Sequence, residues 1–334
     1  MDEERRVLLA HGGGGRLSRE LVEREIVPRF GREALQGLPD AATLRLAATE
    51  IRFTTDCFVV HPLFFPGGCI GDLAVHGTIN DLAVSGGQPL YLSLGMILEE
   101  GLPWASLRRV LDAIRRAALA CNVAIVTGDT KVVRHGQCDG IYLAMAGLGA
   151  GLPGFALAPA SIRPGDVILV SGTLGDHGMA VLAAREKLFA GTPLSSDTGP
   201  VHRLVEAIAP WANRVRFMRD PTRGGIAATL HEAATVHGFA LDESALPFHP
   251  AAATIADLLG ISLLHSPSEG RILAVTAPEA ETEILNAWRA LPEGKGACRI
   301  GRVEGPAGRV TVRTVIGGQT FLEMPHGEML PRIC

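Results

Sequence analysis

Apolar positions along the chain fall into two groups of alternating periodicity, separated by a stretch rich in glycine and proline. Between Leu44 and Ala150 the extended run FTTDCFVVH is followed by a helical stretch from Ile70 to Ser85. The extended PLYLSLGMIL then precedes a segment from Trp104 to Cys121 with apolar residues at helical spacing. Two more strand-like runs, VAIVTGDTKVV and GIYLAMAGLGA, complete this unit. Strands alternating with helices of this length predict an α/β domain. The stretch from Gly147 to Pro164 reads as a linker.

The second unit opens with GDVILVSGTLGDHG, a buried strand running into a glycine turn and a helix from about His177 to Phe189. The pattern continues with a helix from Val201 to Trp211, a strand VRFMRD and a helix from Gly225 to His237. A helix from Ala252 to Leu259, a strand ILAVTA, a helix from Glu279 to Leu291 and the strands CRIGRVEG and RVTVRTVIGG follow. This too reads as α/β, without a short-period repeat. The division predicted is an N-terminal segment (1–40), a first α/β domain (41–152), a second (160–322) and a tail (323–334). HGGGG, from His11 to Gly15, is too rich in glycine to hold one conformation unaided and is expected to form a mobile loop. Pro325, Gly327 and Pro331 argue against any regular element in the tail, and the stretch from Pro325 to Cys334 would span roughly 30 Å if extended.

A length of 334 residues suits two domains with a core each, and 47% hydrophobic against 20% charged residues is a globular balance. The net charge of −4 offers no positive field for a polyphosphate backbone, and 5% aromatics supply few stacking platforms, which argues against nucleic acid as a partner. No apolar run approaches the roughly 20 residues that cross a bilayer, and the start MDEERRVLLA lacks a signal-type core, so the expected compartment is the cytoplasm. The six cysteines form no CxxC pair, so neither a zinc site nor a disulfide framework is signalled.

Three aspartates share a setting: Asp56 ends a strand-like run, Asp81 lies within a helical stretch and Asp220 follows another strand. Each alone reads as a cap or a turn residue, but several carboxylates converging in apolar surroundings would suit a hard divalent ion such as Mg2+, which keeps waters and shares its ligands with phosphates. GDTK, from Gly128 to Lys131, stands at the end of a strand, where α/β folds place ligands. Three of the 31 basic residues are lysines, Lys131, Lys187 and Lys295. A desolvated lysine can release a proton and an arginine cannot, so Lys131 is a candidate proton-transferring or phosphate-touching amine as well as a candidate surface lysine. HGGGG has the composition of a phosphate-cradling loop without the Walker ending, and GTLGDHG reads as a tight strand-to-helix turn. Glu269, in a glycine-containing turn, is either a general base or a solvated side chain. Cys334 has no evident core to fill; it is a frayed end or an acceptor that carries a covalent group between sites.

Taken in order, TTDCFVVHPLFFPGG, TINDLAVSGG, GMILEEGLP, VTGDTKVV, VSGTLGDHG, RDPTRGG and the terminal PRIC resemble the HypE family of hydrogenase maturation factors. That family lies in a wider group of ATP-using enzymes with aminoimidazole ribonucleotide synthetase and selenophosphate synthetase, and the PRIC ending points to HypE within it. The resemblance implies a two-domain α/β (α+β) architecture, pairing as a homodimer through the N-terminal domain, with ATP and Mg2+ in the cleft between domains. It implies that a HypF-type carbamoyltransferase loads Cys334, and that ATP-dependent dehydration turns the thiocarboxamide into a thiocyanate. The cyanide would then pass to iron on a HypC and HypD complex for the [NiFe] centre. By the same resemblance Asp56, Asp81 and Asp220 hold Mg2+, while Asn80, Asp81, Gly128, Asp129 and Thr130 position the nucleotide. His11, Gly12 and Gly13 close over the phosphates, and Glu269 and Lys131 relay protons. Asp72 departs from the pattern, standing where a basic residue is expected; it is solvated, a further metal contact or a lost phosphate contact. Two other functions fit parts of the chain: a synthetase or kinase for a free small molecule, and a non-catalytic scaffold that presents the tail.

Overall fold

The computed structural model describes residues 6–12, 16–30, 50–186 and 193–324, with Leu330 and Ile333 of the tail. Short helical pieces, α1 (Arg16–Leu21) and α2 (Val27–Phe30), precede the first domain. This contains β1 (Ile51–Phe58), the small hairpin β2 (Phe64–Phe65) and β3 (Gly68–Cys69), α3 (Ile70–Val84), β4 (Gly87–Glu99), α4 (Trp104–Ala120), β5 (Ala124–Val133) and β6 (Ile141–Gly151). The sheet order is β1-β6-β4-β5, antiparallel except for the parallel pair β4 and β5. Helix α4 is amphipathic: Leu107, Val110, Leu111 and Ile114 recur at helical spacing and are buried, while Arg115 and Arg116 are exposed. Helix α3 is apolar on nearly every side because it has neighbours on every side, with the sheet beneath it, α4 beside it and the second domain beyond. The opposite face of the sheet is open, and Phe53 on it is 67% exposed.

The second domain comprises β7 (Val167–Val170), α5 (Asp176–Glu186), α6 (His202–Ala207), β8 (Val215–Arg219), α7 (Gly225–Ala233), β9 (His237–Asp242), α8 (Pro250–Leu259), β10 (Leu273–Thr276), α9 (Glu281–Arg289), β11 (Cys298–Pro306), β12 (Val310–Arg313) and β13 (Gln319–Phe321). Its sheet runs β13-β12-β9-β11-β7-β10-β8. Strand β7 is buried on both faces: Val167 and Leu169 join a core with α6 and α9, while Ile168 and Val170 join one with α7. Ala83 and Val84 of α3 belong to the first of these cores, so apolar packing is continuous between the halves.

Most strand pairs are antiparallel, so the helix–strand alternation builds layered units of the α/β (α+β) kind expected. Two expectations change. The helix forecast from Gly225 to His237 stops at Ala233, and His237 starts β9; Thr235, Val236 and Gly238 are poor helix formers. The linker begins only after Gly151, because Gly147 and Gly149 lie within β6. A Cβ on Gly147 would stand 2.9 Å from side-chain atoms of Thr78 and Leu82, so the missing side chain lets α3 seat directly on the strand. The departure at Asp72 also finds its role: its carboxylate accepts from Cys69 N at 3.0 Å, closing a capping box on α3, and pairs with Arg116 at 3.5 Å.

His76 of α3 sits at the junction with α6, its Nδ1 buried without a hydrogen-bond partner. Burial pushes its pKa down to about 4, with His202 adding to the depression and Asp72 opposing it. The unfolded chain would bind this proton near pH 6.5 and the folded one only near pH 4. The contribution of a neutral His76 is therefore intact above about pH 6.5 and is lost as pH falls toward 4. Thermal unfolding followed across this window should show Tm falling with acidification, and His76→Gln should flatten part of the fall.

Candidate active site

Three carboxylates gather where the domains meet. Asp81 is carried on the last turn of α3 and accepts from Thr54 Oγ1 at 2.8 Å. Asp56 projects from β1; its Oδ1 accepts from Cys57 N at 2.8 Å and lies 3.9 Å from Arg223. Asp220 follows β8 of the second domain and is buried. All three pKa values are raised, first by burial. The charge of Asp81 adds to the shift at both Asp56 and Asp220, and that of Asp56 adds to the shift at Asp220. Beside Asp81 lies a cavity of about 510 Å³, walled by Thr54, Leu82 and Val84 of the first domain and by Phe217, Met218 and Arg219 of the second.

Glu269 completes the cluster from the loop before β10. It is 2% exposed, with its Oε1 unpartnered. Burial holds its pKa well above the usual carboxylate range, and Asp220, Asp197 and Asp56 reinforce the shift. The loop is fixed by its backbone: Glu269 N donates to Asp197 Oδ1 at 3.0 Å, and Ser268 N donates to the carbonyl of Pro221, next to Asp220, at 3.0 Å. Gly270 is pressed so closely on the Asp197 carbonyl that a Cβ would stand 2.0 Å from its oxygen. A raised pKa makes the ionised form of this carboxyl group a stronger proton acceptor than an exposed carboxylate, which is what a general base requires.

Asn80 has a different task from the phosphate contact expected of it. Its Nδ2 donates to the carbonyls of Gly199 and Glu269, both at 3.0 Å, and its Oδ1 accepts from Val201 N at 2.8 Å. Both amide hydrogens are thus used in tying α3 to the second domain. His11 is also turned inward: Leu8 N donates to its Nδ1 at 2.8 Å, and its ring meets Trp104 edge-on at 5.4 Å. His11 anchors the base of the glycine loop beside β5, Gly12 ends the short helix, and Gly13 lies outside the described residues, as does Cys334. Gly128, Asp129, Thr130 and Lys131 lie on β5, at the far edge of the sheet from β1. Three strand steps, about 14 Å, separate these edges, so one chain does not bring Lys131 and Asp56 together across the sheet.

The donor set at the junction is entirely carboxylate oxygen. Among the described residues no group of three His, Cys, Asp or Glu is close enough to hold a metal by itself. Carboxylates that raise one another's pKa are relieved by a hard cation, and an ion such as magnesium completes its shell with water and phosphate rather than with protein. The residues fit that requirement.

A family model for the N-terminal domain of AIR synthase related proteins matches residues 39–151, and one for the C-terminal domain matches residues 163–313. Over 338 residues the chain is 46% identical to the carbamoyl dehydratase HypE of Rhodobacter capsulatus, covering 99% of each chain. The chain belongs to the HypE family. A HypE crystal structure in complex with ATP superposes with a TM-score of 0.94 at 40% identity, covering 98% of this chain and 99% of that one. The HypE chain of a HypE–HypF complex gives 0.80 at 37%, covering 93% and 100%.

Several residues that frame the junction in this HypE-family chain carried no signal in the sequence. Asp197 and Asp176 flank Arg271, whose Nε stands 3.5 Å from Asp197 and whose Nη2 stands 3.9 Å from Asp176. Those acids lie far from Arg271 in the chain, and no local spacing announces the pairing. Replacing Asn80 with Asp would turn two donors into acceptors facing carbonyl oxygens and add a negative charge to the cluster. Asn80→Asp should lower the unfolding free energy by about 3 kcal/mol, read from the shift in urea midpoint.

Proposed function

We propose that this chain acts as its family does, as an ATP-dependent carbamoyl dehydratase whose substrate is the carbamoyl group on its own Cys334. The reading is supported by full-length kinship with carbamoyl dehydratases, and the observation that carries it is the position of the residue before the last. Ile333 is 2% exposed, packed into the N-terminal core together with Val181 of α5, so the tail reaches the junction of the domains.

The chemistry follows from the leaving group. A thiocarboxamide loses its oxygen poorly, and transfer of a phosphoryl group from ATP onto that oxygen lets it depart as phosphate. Two protons leave the nitrogen, and carbon, sulfur and nitrogen remain as a thiocyanate on Cys334. Glu269 is the first acceptor for these protons, since its carboxylate is buried beside the cluster and keeps one oxygen unpartnered. Asp56, Asp81 and Asp220 would hold Mg2+, which when bound neutralises the phosphate charge. Asn80 keeps the Glu269 loop and α3 in one frame. By the same resemblance His11, Gly12 and Gly13 would close over the phosphates and exclude water.

A second copy accounts for the position of Lys131. Phe53, Ile97 and Ile51 leave apolar surface on the open sheet face, and a homodimer covering it would bring GDTK of one chain toward the carboxylates of the other. A HypF-type carbamoyltransferase would load the tail and a HypC and HypD complex would accept the cyanide. No described helix is long and apolar enough to cross a membrane.

The test is the mass of the C-terminal peptide. Carbamoylated protein given MgATP should lose one water from that peptide, and an unchanged mass would sink the proposal. Glu269→Gln should slow the loss by roughly 100-fold or more. A variant lacking Cys334 should show no turnover, whereas retained turnover of a free substrate would favour a synthetase or kinase.

A further inference from the structure

The step above makes no use of His177, although it is the most enclosed ionisable side chain in GTLGDHG. The ring is 0% exposed, on the first turn of α5, and both nitrogens are engaged. Nδ1 lies 2.7 Å from Ser196 Oγ, and Nε2 lies 2.8 Å from the carbonyl oxygen of Ile333. A carbonyl can only accept, so Nε2 bears the hydrogen. Burial favours the neutral ring, leaving a lone pair at Nδ1 toward which Ser196 Oγ donates. Ser196 Oγ in turn accepts from Thr198 N at 3.0 Å, and Ser196 N donates to the carbonyl of Pro66 at 2.8 Å. Phe65, one residue earlier, meets the imidazole edge-on at 5.4 Å. One tautomer, fixed by both domains, therefore points its only N–H at the tail.

The neighbouring residues are shaped for the same contact. A Cβ on Gly178 would come within 3.2 Å of Leu330 Cδ1 and within 2.3 Å of Ser266 Oγ, so glycine after the histidine leaves the tail room to lie down. Leu330 packs against the same core that buries Ile333. Along the chain, Ser196 is followed by Asp197, whose carboxylate accepts from the backbone of Glu269. The carbonyl that His177 holds is half of the peptide unit joining Ile333 to the last residue, so holding it restrains that planar unit.

We propose that His177 is a positioning residue for the dehydration, a clasp that docks the tail by the Ile333 carbonyl and so sets the terminal cysteine against the carboxylate cluster. The proposal rests on the reading that Cys334 carries the substrate, and it adds the group that holds the carrier in place.

Two rates in the full-length protein test it: alkylation of Cys334 by a maleimide, read at the C-terminal peptide by mass spectrometry, and dehydration of the carbamoylated protein at saturating MgATP. His177→Phe keeps an aromatic ring against Phe65 but can donate to nothing. It should speed alkylation and slow dehydration by roughly tenfold each, while the ATP dissociation constant stays unchanged. His177→Gln returns an N–H donor and should recover most of both effects, which a purely packing role would not permit. Ser196→Ala, which frees the tautomer without touching the ring, should move both rates in the same direction and serves where His177→Phe does not fold. Rates equal to wild type in His177→Phe, or in Ser196→Ala where that variant stands in for it, would overturn the clasp, as would a loss in His177→Gln as large as in His177→Phe. If wild-type carbamoylated protein loses no water, the proposed reaction is wrong, and the alkylation rates still judge the clasp alone.

Discussion

One carboxamide sets the geometry of the junction. Asn80 makes three hydrogen bonds to backbone groups of the second domain, and it does so from a helix so enclosed that it has little freedom to shift. Asp81, the next residue on that helix, is delivered to the cleft by the same rigid element, and Glu269 is delivered by a loop whose carbonyl the same amide holds. Two carboxyl groups thus arrive from different domains yet share one fastening. A single buried group that bonds to two halves converts domain packing into the placement of side chains.

The cost of the arrangement is electrostatic. Asp56, Asp81, Asp220 and Glu269 are all pushed toward their neutral forms by burial, and several are pushed further by one another. A protein whose site had only to be stable would not collect carboxylates in this way. The surrounding fold supplies the compensation: capped α3, continuous apolar packing across the domains, and a sheet whose β7 is buried on both faces.

Much of this was legible along the chain, and the limits have physical causes. Helices α3 and α4 announced themselves by length and spacing, Asp56, Asp81 and Asp220 stood out as carboxylates in apolar settings, and Glu269 was visible as an acid in a glycine-containing turn. Strand β9 did not, since HGFALD lacks the length or the alternation to part it from the helix before it. Antiparallel pairing was hidden because alternation of elements says nothing about their direction. His11 looked like loop chemistry from its glycines, yet Trp104, a distant residue in the chain, draws the ring inward. The bonds of Asn80, the Asp176–Arg271–Asp197 group and the grip of His177 on Ile333 join residues 70 or more positions apart, or across a turn, where periodicity is silent.

The seat filled by Ile333 has a kinetic meaning. Its occupant belongs to the same polymer, so the encounter is first order and dilution does not slow it. A dissolved competitor would have to displace a tethered neighbour that is always close by. Each molecule is then stoichiometric with its own cargo, and reloading by a separate protein requires this seat to be vacated first.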